Sequence, residues 1–388
     1  MTDIHLEPAF SLPSGFKIRE VSNLTAPRAV VSSAPSLGPL TAFAGTFKGR
    51  GFNTIFRPDS VATPTPLPIP VAPGGDNVLE LNLTEETLSF SPSLGSIPNR
   101  GSGNQGDAFL NGVPYLQTIS DVTFPSQPVG IHFEPGIWLS VPVTTDPAEG
   151  ATVARMASIP HGTTVEAQGT FSTTTGKPTI PVVDITPTVI GNPAKKITFP
   201  SQTATDDKTP RIPQNLAPFI AAGTITQAML TDPNTLLRNH IASQNITSTT
   251  VISISSDPAS PLFGGGTDNI AFLLGDPAAA NPNANAVRMD ATFWIETVEY
   301  TLEVPVFEPG HPPLTIPAPT GAEGQPIPHF LVNPPMPIKE PRYITVQAPQ
   351  IQYSQQVFLN FNHLSWPHVS VATLVPSNPI PVLPSVWT

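Results

Sequence analysis

Proline occupies 51 of the 388 positions, and this density limits what the chain is able to fold into. A proline inside a helix forfeits a hydrogen bond and clashes with the preceding turn, at a cost of about 3 kcal/mol. Helix is therefore confined to short stretches, and the regular structure must be β. Wholesale disorder is excluded, because hydrophobic residues make up 39% of the chain and are patterned in strand-like alternation. The length suits one large domain or two ordinary ones.

Strand signals recur at regular spacing, separated by turn residues. Residues 1–36 read as an extended, proline-punctuated N-terminal arm. Gly45, Gly49 and Gly51 then fall in one strand, which predicts a sharp bend or a close backbone approach. Residues 78–91 read as a hairpin: Leu79, Leu81 and Leu83 share one face, and Thr84 to Thr87 form the turn. Further strands are expected at 113–124, 130–143, 151–159, 163–171, 246–256, 268–274, 287–304, 343–361 and 366–375. In 287–304 the apolar parity flips after Thr297, which implies a bulge or a strand that leaves one packed surface for another. One short helical region follows a Pro/Thr-rich excursion, with Thr224 and Asp232 as N-caps and Pro233 at the first helical position. The prolines of 305–342 read as polyproline-like wrapping. About ten long strands favour an all-β, closed antiparallel up-and-down barrel, which leaves no exposed edge. Its domain covers 37–376, with insertions at about 172–245 and 303–342 and a Pro-rich tail at 377–388.

Charge and composition remove several function classes. Net charge is −11, a field that repels nucleic acid, and Lys195-Lys196 is too small a basic spot to offset it. The absence of cysteine rules out disulfides, thiolate metal sites and cysteine nucleophiles. No signal-type apolar core and no membrane-length apolar run occurs, so the expected location is cytoplasmic, without a membrane span. Gly101 to Gly106 matches a dinucleotide-binding glycine pattern by letter, yet no helix follows it, and Gly264-Gly265-Gly266-Thr267 lacks the lysine of a phosphate loop.

Histidines carry the remaining chemistry. His132 and Glu134, two apart on a strand, point to the same face. Inside a barrel they form either a structural hydrogen-bond cluster or part of a ligand pocket. His363 and His368 flank the last strand, where an inward imidazole is either a satisfied core residue or a ligand of haem iron.

Several segments together resemble the nitrobindin-like family of haem-binding β-barrels. Leu37 to Gly51 is similar to that family's opening, a short helix entering a Gly-Thr-aromatic-x-Gly-x-Gly strand. Ile131-His132-Phe133-Glu134-Pro135-Gly136 is similar to its central His-x-Glu-x-Gly strand, and Thr152 to Gly169 fits the hairpin that follows. His368 to Leu374 resembles the strand that carries the proximal histidine. The chain departs from the family in its length, in Phe47 where tryptophan is usual, and in Val375-Pro376 where a basic residue is usual. The resemblance implies a ten-stranded barrel holding haem b in an apolar cavity, with nitric oxide, peroxynitrite or peroxide chemistry. It implies His368 as the iron ligand with His363 as the fallback, and Thr46, His132 and Glu134 as further cofactor contacts. Two alternatives stand beside it: a haem-free, lipocalin-like carrier of a lipophile, and an assembly protein whose low charge suits packing into a homo-oligomer.

Overall fold

Glycine clears the way for the sheet to close. In the computed structural model residues 34–60, 64–71, 77–101, 103–258, 265–276, 283–319 and 326–387 are described; nearly all of the expected N-terminal arm lies outside them. Ten long strands run β1 (Gly45–Pro58), β2 (Asn77–Phe90), β3 (Ala108–Asp121), β4 (Val129–Val141) and β5 (Thr152–Ser158), then β6 (Thr164–Thr175), β7 (Asn245–Ser255), β8 (Asn285–Val304), β9 (Arg342–Phe361) and β10 (Leu364–Pro376). Each pairs antiparallel with the next, and β10 returns to β1 from Phe47↔Pro376 to Thr54↔Val369. The fold is the expected closed ten-stranded barrel. A Cβ on Gly49 would lie 1.9 Å from the Thr373 carbonyl oxygen, and one on Gly51 2.2 Å from that of Val371. Only a residue without a side chain lets β1 lie this close to β10.

The hairpin expected within 78–91 does not form. β2 runs unbroken through Thr84 to Thr87 and pairs with β1 along its whole length. Its polar middle is no turn, because Thr84 and Glu86 point inward and are hydrogen-bonded there. The strand expected at 268–274 is instead a short strand, Gly266–Asp268, followed by one turn of helix, Ala271–Leu274.

One half of the interior is packed solid. A 3₁₀ turn at Gly38–Ala42 sets Leu40 and Phe43 against Phe47, Phe90, Trp138 and Phe293 in a single apolar cluster. Phe43 stacks on Phe90 with ring centroids 4.6 Å apart. Each such buried side chain contributes about 1.5–3 kcal/mol by leaving water.

The outer wall is also covered, which accounts for the parity flip of β8. Met289, Ala291, Phe293 and Ile295 face the interior, whereas Trp294 and Val298 belong to a second cluster outside the barrel. There the insertion between β6 and β7 supplies Ile185, Leu216, Leu230 and Leu237 against Phe52, Phe56, Leu79, Leu81, Val369 and Val371. The β8 ladder with β9 stays in register through Thr297, so the strand passes from one packed surface to another; the local bulge lies in its partner β7, between Ile246 and Ser248. Within the insertion, α1 (Ala217–Ala222), α2 (Gln227–Thr231) and α3 (Thr235–Ile241) form the helical region. Their observed N-caps over α2 and α3 are Thr226 and Asn234, each two residues from the positions expected. Asp232 instead accepts hydrogen bonds from Val183 and Asn234 backbone N–H groups and pairs with Arg238.

Beyond the barrel rim, β8 and β9 continue as a two-stranded ribbon to Val304↔Arg342. Two strands of the segment expected to wrap as polyproline, Leu314–Pro317 and His329–Val332, and one of the tail, Ile380–Pro381, form a small sheet against it. Phe307, Phe330, Val332 and Trp387 bury Leu302, Val304, Ile344 and Val346. No helix among the described residues is long and apolar enough to cross a membrane.

Candidate ligand cavity

Strand alternation places a polar layer across the middle of the barrel. Tyr115 and Gln117 from β3, Glu134 from β4, Arg155 from β5, Tyr353 from β9 and Glu86 from β2 all face inward and are buried. Arg155 donates to Glu134, to the Tyr115 hydroxyl (2.8 Å) and to Gln355 Oε1 (2.7 Å). Its guanidinium also lies 5.5–5.7 Å from the ring centroids of Tyr115, Trp138 and Phe293, where the ring quadrupoles favour a cation. Burial alone would raise Glu134, but the Arg155 charge, with hydrogen bonds from His132 and Tyr115, outweighs it and holds the carboxyl at about 2. Glu86 differs: it accepts from Tyr353 (2.6 Å), Thr84 (3.0 Å) and Gln117 (3.3 Å), and burial still pushes it above the ordinary carboxyl value.

Above this layer the barrel opens into a cavity of about 370 Å³. Pockets for small molecules span roughly 300–1,000 Å³, apolar in the main with a few convergent polar groups. Ile119, Ile131, Ile159, Val357 and Leu359 supply apolar surface, and Ala284 and Ala286 add little bulk. Asn53, Asn82, Ser370 and His368, on the contiguous strands β10, β1 and β2, form a polar arc. A wider depression of about 650 Å³ crosses the outer wall near Lys48, Arg50, Glu85 and Thr118; it is open to solvent and gathers no convergent set.

His368 faces the cavity, as the alternation with buried Val369 and Val371 dictates. Burial, then the neighbouring His132 and His161, lower it to about 4, so the imidazole is neutral at pH 7. Its Nε2 lies 2.7 Å from Asn53 Nδ2, and the same amide nitrogen donates to Ser370 Oγ at 2.8 Å. Haem ligation needs an imidazole nitrogen whose lone pair is directed at the iron. His368 is neutral and inward, yet Asn53 already holds Nε2, so the residues as arranged do not fit iron ligation through that atom. Among the described residues, no three His, Asp or Glu side chains gather as a metal site.

His132 and Glu134 share the interior as the sequence implies, with His132 Nε2 3.1 Å from Glu134 Oε2. Two other expected site residues lie elsewhere. His363 is exposed in the two-residue turn between β9 and β10, where Asn362 and His363 take φ of 46° and 64°. A tight hairpin requires positive φ at both central positions, so His363 sits at the rim as a turn residue and leaves the cavity to His368. Thr46 points outward, where its hydroxyl lies 3.1 Å from that of Ser89, because its neighbour Phe47 takes the inward position. The cavity also contains a histidine that sequence reasoning missed, His161, in the loop between β5 and β6; its ring meets that of His132 edge-on at 5.3 Å. Arg155 was missed as well, although it falls on the inward parity of Val153 and Ala157. A charged residue at an apolar parity position was the available signal.

No protein-family model matches the chain, and no curated protein matches it. Among solved structures, a crystal structure of Rv2717c from M. tuberculosis is similar over 89% of this chain and all of that one, with a TM-score of 0.33 and 11% identity.

Proposed function

We propose that this barrel binds a small molecule with an apolar body and a polar edge, in the manner of a lipocalin-like carrier. The division of the interior carries the reading. One half is filled by aromatic side chains, while the other keeps about 370 Å³ open between an apolar wall and the Asn53–Asn82–His368–Ser370 arc. A barrel of about eight to ten strands has room for side chains or for one small ligand, and here the interior holds packed side chains and an open cavity together. Organic extraction of purified protein, followed by mass spectrometry, should release a single apolar species. Val357→Trp, which fills the cavity from β9, should abolish its retention. Undiminished retention in that variant would sink the reading.

A haem reading is favoured by one observation, the inward and neutral His368, and it requires Asn53 to release Nε2. Titration with hemin then gives a sharp Soret band that His368→Ala removes. No band between pH 6 and 8 eliminates haem and leaves the carrier reading intact.

A further inference from the structure

We propose that the His132–Glu134 pair makes the cavity selective for neutral ligands bearing a weakly acidic hydroxyl, a phenol or an enol, whose O–H donates to His132 Nδ1. The proposal rests on the cavity being a ligand site and names the chemistry of its occupant.

Glu134 fixes the tautomer of His132. Its Oε1 is taken by the Tyr115 hydroxyl and by Arg155 Nη2, which leaves Oε2 for His132 Nε2. An ionised carboxylate only accepts hydrogen bonds, so Nε2 carries the proton, and a neutral imidazole then offers its lone pair at Nδ1. His132 lines the cavity, and its Nδ1 has no hydrogen-bond partner among the described residues. The pair therefore presents a fixed acceptor to whatever occupies the space.

Charge decides between a neutral donor and an anion. Among the described residues no lysine or arginine lines the cavity, and the one carboxylate that does, Glu80, is paired with Arg57 at 3.2 Å. Arg155, just beneath, is already neutralised by Glu134. Burial lowers both His161 and His368, so neither adds positive charge at neutral pH. A carboxylate ligand would find no lysine or arginine free to pair with it among the described residues and would face Glu80; a neutral hydroxyl meets His132 directly.

The test is calorimetric titration of the full chain at pH 7.5 with 2-naphthol, 2-methoxynaphthalene and 2-naphthoate, three probes of one aromatic body. The expected result is that naphthol binds about ten-fold more tightly than the ether, the scale of one hydrogen bond to a good acceptor, and more tightly than the carboxylate. His132→Phe keeps an aromatic ring and should bring naphthol and ether to within about two-fold while ether affinity persists. Equal affinity for naphthol and ether in the unmodified protein, a preference for naphthoate, or an unchanged preference in His132→Phe overturns the proposal and leaves the carrier reading standing. Binding of none of the three overturns both. The comparison within unmodified protein needs no variant, so a misfolded His132→Phe does not shelter the idea.

Discussion

Glu296 makes the stability of this protein fall as pH rises through neutrality. The carboxyl lies outside the barrel wall under α3 and is 1% exposed. Its Oε2 accepts from Gln350 Nε2 at 2.6 Å, and its Oε1 has no hydrogen-bond partner among the described residues. Burial raises its pKa from 4.5 to about 8, against the opposing Gln350 hydrogen bond. Below pH 4.5 the group is protonated folded and unfolded, and it adds no pH dependence. Between 4.5 and 8 the unfolded chain releases the proton while the folded chain keeps it, so stability declines by about 1.4 kcal/mol per pH unit. By pH 7 the loss is about 3 kcal/mol. Two neighbours titrate as well: His240, lowered by burial to about 4, and Tyr300, raised by burial to about 12. Glu296→Gln places a non-titrating amide in nearly the same volume, so the difference between variant and wild type isolates Glu296. Urea unfolding of both proteins at pH 5, 6, 7 and 8 is the assay. The variant should gain on the wild type by about 3 kcal/mol between pH 5 and 7.5. A difference that stays constant across this range refutes a buried, neutral Glu296.

Three further outcomes follow from the same structure. Gly49→Ala places a methyl 1.9 Å from a carbonyl oxygen of β10 and should cost about 3 kcal/mol or more, with faster amide exchange along β1 and β10. Gly130→Ala, which meets nothing within 4 Å, serves as the control, and equal urea midpoints for the two variants would contradict the account of barrel closure. Arg211 is fully buried and donates to the carbonyls of Ser201, Thr203, Ala204, Asp206, Pro213 and Gln214; Arg211→Met should destabilise by at least about 3 kcal/mol, and a midpoint near wild type would show that the loop does not depend on it. Glu134→Gln strands a buried guanidinium and should cost about 3–5 kcal/mol, much of it recovered when Arg155→Met is added. Because Glu134 is held at about 2, its stabilisation is present above pH 4.5 and disappears as pH falls toward 2, so acid unfolding of the double variant should lack that transition.

The barrel was legible in the sequence because its strongest signals are local. Proline density confined helix to short stretches, glycines at 49 and 51 marked a strand under close approach, and alternation in 287–304 recorded the change of packed surface at Thr297. The cavity residues were legible where two chemical residues share a strand, as His132 and Glu134 do, and where a lone imidazole sits on an otherwise apolar last strand, as His368 does. His161 lies in a loop, and Asn53 meets His368 across 315 positions of chain, a distance over which no periodicity speaks. The misread hairpin has the same origin. Thr84-Glu85-Glu86-Thr87 looks like a turn by composition, yet Glu86 is polar because Tyr353, 267 residues away, needs an acceptor inside the barrel.

That misreading shows how the interior is organised. Four of the strand residues that break the apolar pattern on the inward parity, Glu86, Gln117, Glu134 and Arg155, form one layer, and there they pair, Gln117 with Glu86 and Arg155 with Glu134. A buried polar layer is costly unless every member is paired, so it resists collapse from the aromatic half below and gives the space above it a floor of fixed hydrogen bonds. The layer explains why a chain with so little charge spends several of its few ionisable residues inside the barrel. It also explains why the histidines His132 and His368, which the sequence singled out, lie above it, where side chains leave room for a ligand.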